Sequence, residues 1–62
     1  MNEKQFEEAL YSAMDTDSFR MLIEEVSRVQ TFEEVGMLTG NRGLVVRMRD
    51  GSEFQITIVK SR

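Results

Sequence analysis

Asp50-Gly51 stands between two runs that alternate apolar and polar residues, and this pattern commits the C-terminal part of the chain to a β-hairpin. The runs are Leu44 to Arg49 and Glu53 to Val59, both rich in β-formers. Parity then sets the loop length. Leu44, Val46 and Met48 form one apolar set, and Phe54, Ile56 and Ile58 form the other. A two-residue loop would put Met48 opposite Glu53 and mix the faces. A three-residue loop, Arg49-Asp50-Gly51, keeps the apolar sets together, with Gly51 left-handed in a type I turn and G1 bulge. The expected pairs are Arg47 with Glu53, Val46 with Phe54, Val45 with Gln55 and Leu44 with Ile56.

The N-terminal half reads as helix. Asn2-x-x-Gln5 has the form of a capping box. Phe6, Leu10 and Met14, with Ala9 and Ala13, share one face of a helix over 3–14. Asp15-Thr16-Asp17 breaks this helix and caps a second one over roughly 17–29, with Phe19, Leu22, Ile23 and Val26 as its buried stripe. The short linker makes the pair an αα-hairpin over residues 3–30.

Thr31 to Leu38 admits two readings. Thr31-x-x-Glu34 can open a third helix as a capping box. A strand over 32–38 is preferred, because a Gly40-Asn41 turn then pairs Met37 with Leu44, Val35 with Val46 and Glu34 with Arg47. The expectation is a single α+β domain, residues 1–62, in ααβββ order. The helical hairpin (3–30) packs on one face of a three-stranded antiparallel meander (31–60).

Composition limits the chemistry. The 62 residues include no Cys, His, Pro or Trp. Disulfides, Cys/His zinc sites, Cys or His nucleophile systems and imidazole switches are therefore excluded. A chain this short buries only about 60% of its unfolded surface, so either the core is efficient or a second chain assists. No apolar run approaches the roughly 18 residues of a membrane span. The polar start, Met1 to Gln5, reads as neither a signal nor a transit peptide, so a cytoplasmic protein with no membrane contact is expected. The intact caps suggest a complete small reading frame.

The remaining polar constellations have structural explanations. Asp15-Thr16-Asp17-Ser18 starts like a calcium loop, but Phe19 and Arg20 occupy the next ligand and glycine positions. Glu7-Glu8, Glu24-Glu25 and Glu33-Glu34 are adjacent acids that diverge on a helix, so a solvated face is expected rather than an acid/base pair. The serines have no His or buried Lys partner. Gly40-Asn41-Arg42-Gly43 joins strands, whereas phosphate loops open helices. No enzyme activity, cofactor or metal is expected.

Charge is polarised along the chain. The net −3 divides into −6 over residues 1–35 and +3 over residues 36–62. The sheet face away from the helices is expected to carry Phe32, Leu38, Val45 and Val59 among Arg and Glu, with no helix to cover it. The leading expectation is a small non-enzymatic protein-interaction module or inhibitor, with a homodimer as one form. It would bind through Val45, Arg47, Arg49, Thr57 and Val59, or more weakly through the acidic helices at Glu7, Glu8, Glu24 and Glu25. The alternative is a nucleic-acid-binding accessory protein using Arg42, Arg47, Arg49, Lys60 and Arg62. It is less favoured, because the whole chain is acidic and the outer face has few aromatics.

Overall fold

The computed structural model describes residues 1–37 and 40–62. The elements are α1 (Glu3–Met14), α2 (Asp17–Leu22), β1 (Val26–Thr31), β2 (Arg42–Met48) and β3 (Glu53–Ile58). The strands form one antiparallel sheet in the order β1-β2-β3. The ααβββ architecture is as expected, but its internal boundary is not. The second helix stops at Leu22 instead of near residue 29, and the first strand starts at Val26 instead of near residue 32. The meander therefore takes in residues assigned above to the helical hairpin.

Both helices start on side-chain caps. Asn2 and Gln5 exchange reciprocal 2.8 Å side-chain bonds with each other's N–H groups. Of the three candidate caps for α2, Thr16 serves, accepting from the Phe19 N–H. Asp15 instead pairs with Arg20 at 3.0 Å. The buried face of α1 differs from the expected one. Glu7 and Met14 are buried and Leu10 and Tyr11 partly so, while Phe6 is exposed. At 3.6 residues per turn the helix is rolled by about a quarter turn from the face of Phe6, Ala9 and Ala13.

A β-bulge explains the misplaced boundary. Val26 faces Met48 and Arg28 faces Arg47, which leaves Ser27 as an extra residue in β1. Val26 and Val29 are three apart, yet both enter the core. An unbroken strand cannot put such a pair on one face, but a helix does. The bulge thus reproduces helical spacing, which is why the stripe reads as continuing past Leu22. Leu22 itself, expected in the core, is largely exposed.

The preferred strand over 32–38 does not form. Its last residue, Leu38, lies outside the described residues. Residues 32–35 form a single helical turn. Thr31 and Glu34 make the reciprocal capping-box bonds. The turn closes as a Schellman motif: Met37 N–H donates to the Phe32 carbonyl and Gly36 N–H to the Glu33 carbonyl. Gly36 sits at φ +74°, the left-handed position such a motif needs. The expected register of Met37, Val35 and Glu34 against β2 is replaced by Thr31, Val29 and Arg28 opposite Leu44, Val46 and Arg47.

The β2–β3 hairpin has the expected register throughout, with Arg47 opposite Glu53 and Leu44 opposite Ile56. Gly51 N–H donates to the Met48 carbonyl with Gly51 at φ +93°. Asp50 accepts from both the hydroxyl and the N–H of Ser52, and these bonds hold its carboxyl below the usual value of 3.8. An acid with a lowered folded pKa adds stability that is present above its unfolded pKa and is lost as pH falls through the folded one. Urea midpoints should therefore drop as pH falls below 3.8. Ser52→Ala should reduce that drop. An identical acid response in the variant would show that the turn carries no such linkage.

The core lies between α1 and the first two strands. Met14, Val26, Val29, Leu44 and Val46 form its cluster, with Leu10, Tyr11, Phe19 and Met48 packed against it. Leu44 is fully buried, and burial of one such side chain contributes about 1.5–3 kcal/mol.

Candidate functional site

The outer sheet face is less open than its residue pattern implies. Thr31 is opposite Leu44 on the helix side, so the next position, Phe32, belongs to the outer side with Gly43 and Val45. Phe32 N–H donates to the Gly43 carbonyl. The Phe32 ring lies where a Gly43 side chain would stand. Phe32 and Val45 are both buried, although neither belongs to the main core cluster. The capped turn after β1 places its first residue over this face. Val45 is therefore unavailable to a partner, contrary to expectation.

The other expected contact residues are dispersed. Arg47 is exposed and pairs with Glu53 at 3.6 Å. Glu34, its other expected partner, is occupied with Thr31. Arg49 lies in the hairpin loop, where its N–H donates to the Glu25 carbonyl. Thr57 is exposed on β3, and Val59 follows the end of that strand. Glu7 is buried, so it presents no surface. Glu24 and Glu25 are exposed but belong to the turn after α2, so among the four acids only Glu8 is an exposed helical one.

The basic residues do not form one surface. Arg42 points to the helix side, opposite Ile58, and reaches two acids. Its Nε is 3.9 Å from Glu7 and its Nη1 3.2 Å from Glu33. Glu7 Oε2 is buried and accepts no hydrogen bond, so the Arg42 charge is what stands beside it. Arg49 lies beyond the opposite end of β2. Lys60 and Arg62 follow β3. One base absent from the expected set joins the outer face: Arg28 is directly opposite Arg47.

Accessible apolar surface lies instead at two places among the described residues: the end of α2, at Met21, Leu22 and Ile23, and the helix side of β3. Phe54, Ile56 and Ile58 face this side together with Val46 and Leu44. Their exposure falls from 58% to 36% to 9% along the strand. The reason is the line of α1, which crosses β1 and β2 and reaches β3 only near Ile58. Phe6, rolled out of the core and 49% exposed, lines an apolar groove with Met1, Ile58 and Val59. Residue parity places Phe54 and Ile56 on this side correctly. No signal in the sequence says that a six-residue α2 would leave them uncovered.

Among the described residues, no cluster of three or more acids could hold a metal ion, and no helix is long and apolar enough to cross a membrane. In comparisons with protein families, curated proteins and solved structures, the chain matches none of them.

Proposed function

We propose that this chain is a non-enzymatic protein-contact module that works through the apolar side of β3. The observation that carries this reading is the exposure of Phe54 and Ile56 on a strand side that the chain's own helices stop short of covering. Contiguous apolar surface rimmed by polar groups marks contact sites, and aromatic residues, Phe included, are enriched at the centres of such contacts. The cytoplasm, the default for a chain with no apolar segment of spanning length, is part of the same proposal.

Phe54→Lys tests it. Phe54 is more than half exposed, so the fold should survive while capture of a host partner falls about tenfold or more, the usual loss for an aromatic anchor. Glu8→Gln with Glu24→Gln should leave capture intact. If the acid substitutions abolish capture and Phe54→Lys does not, the acidic surface is the site and this reading is wrong.

Nucleic-acid binding is the second reading, and Arg28 opposite Arg47 favours it by adding a base to the outer face. Arg42 between two carboxylates and the net −3 weigh against it. Counterion release makes such binding steeply salt-dependent, so absence of duplex or single-strand binding at low salt removes it.

A further inference from the structure

We infer that the occupant of the β3 side is a second copy of this chain, joined through antiparallel β3–β3 pairing into one continuous sheet; this rests on the reading of β3 as the contact side.

The two edges of the sheet differ. The β1 edge is interrupted by the bulge at Ser27, and the Thr31 N–H is taken by Glu34. Both features blunt an edge against pairing. On β3, by contrast, the ladder with β2 is regular. Met48 N–H donates to the Ser52 carbonyl, so alternation turns Phe54, Ile56 and Ile58 toward β2. The N–H and C=O groups of Glu53, Gln55 and Thr57 then point to the open edge.

That edge is self-complementary. A two-fold axis through Gln55 pairs Gln55 with its copy, Glu53 with Thr57 of the second copy, and Phe54 with Ile56 of the second copy. The residue sum is even in this register, so apolar side chains meet on the helix side and polar ones on the outer side. Centring on Ile56 instead would set Glu53 against Val59. The two outward sets of N–H and C=O groups exchange bonds in the Gln55-centred register, and the exposed Phe54 and Ile56 cover each other between the two α1 helices. An isologous contact of this kind closes on itself and needs no third copy.

The exposed area leaves room for a contact of this kind. The chain exposes 4733 Å², whereas a folded monomer of 7.2 kDa exposes roughly 4,100 Å². The excess of roughly 600 Å² is close to the ~800 Å² that each partner loses in an interface of ordinary size. The radius of gyration, 11.9 Å, also exceeds the roughly 10.6 Å of a compact chain of this length.

The test is sedimentation and light scattering of the wild-type chain across concentration, beside Gln55→Pro. Proline removes an outward N–H, which the β2 ladder does not use, and edge positions tolerate it. The wild type should approach twice 7.2 kDa, and Gln55→Pro should stay monomeric with an unchanged circular dichroism spectrum. A wild type that remains monomeric at about 1 mM, where even contacts with millimolar Kd are substantially formed, overturns the inference. So does a Gln55→Pro dimer. If the proline variant does not fold, amide exchange of the wild type decides. Protection of Glu53, Gln55 and Thr57 that grows with concentration supports pairing, and fast exchange at all concentrations refutes it. A wild-type monomer that still captures a partner in a Phe54-dependent way sinks the second copy alone and leaves the contact reading standing.

Discussion

Gly43→Ala is expected to cost at least about 2–3 kcal/mol, the upper range for forcing atoms into a filled site. A Cβ at this position would overlap the Phe32 ring and the Ile56 carbonyl. The carbonyl belongs to the neighbouring strand and cannot retreat without straining the sheet. The ring is itself buried. A single small core supplies only about 3–5 kcal/mol in total, so much of the population should be unfolded. Chemical denaturation followed by circular dichroism measures this directly. The other glycines calibrate it. Gly40→Ala, with open space around it, should be nearly neutral. Gly36→Ala should cost about 1–2 kcal/mol for the left-handed backbone alone. Phe32→Ala combined with Gly43→Ala should be less damaging than the two separate costs added together, because the residues share one space. Strict additivity would mean that the ring does not fill that space.

The second large effect concerns Glu7 and Arg42. Removing one partner of a buried ion pair costs about 3–5 kcal/mol. Arg42 retains 38% side-chain exposure, so Arg42→Ala should fall at or slightly below the low end, about 2–3 kcal/mol. The cause is the Glu7 carboxylate, which is 4% exposed and whose buried Oε2 accepts no hydrogen bond. Glu7→Met should behave oppositely, neutral or stabilising, because an apolar side chain of similar volume escapes the desolvation cost. The double variant separates the explanations. If Arg42 matters through Glu7, then Glu7→Met in the Arg42→Ala background restores stability. If Arg42→Ala is as stable as the wild type, or the double variant is no better than Arg42→Ala, Arg42 does not hold that carboxylate.

The pair also explains why the buried face of α1 departs from its apolar stripe. A stripe of Phe6, Leu10 and Met14 is the apolar choice for burial, and a glutamate is the least expected residue to bury. Arg42 changes the balance. It projects from the start of β2 on the helix side, and burying Glu7 beside it places Leu10, Tyr11 and Met14 over the sheet. Phe6 is then left at the flank, where it borders Ile58 and Val59. The accessible apolar surface on which the proposed function rests follows from this roll, and a search for apolar periodicity cannot find it.

Local chemistry was legible wherever one segment sufficed to satisfy its own backbone. The Asn2 and Gln5 box, the break at residues 15–17, the three-residue loop at Gly51 and the whole β2–β3 register depend on caps, turn geometry and parity between neighbouring residues. They specify two helix starts and the β2–β3 hairpin, but not the first strand, which lies at Val26–Thr31 within the segment read as helix. Non-local packing decided the rest. The bulge at Ser27 lets a strand bury residues three apart, so Val26 and Val29 carry a helical period without a helix. The Thr31–Glu34 box forms yet yields a single turn, because Gly36 closes it and Phe32 is drawn onto the Gly43 gap. Val45 is buried and Phe54 is exposed for the same reason: which strand a short helix or a folded-back ring covers depends on how the elements cross, and no stretch of neighbouring residues encodes that crossing.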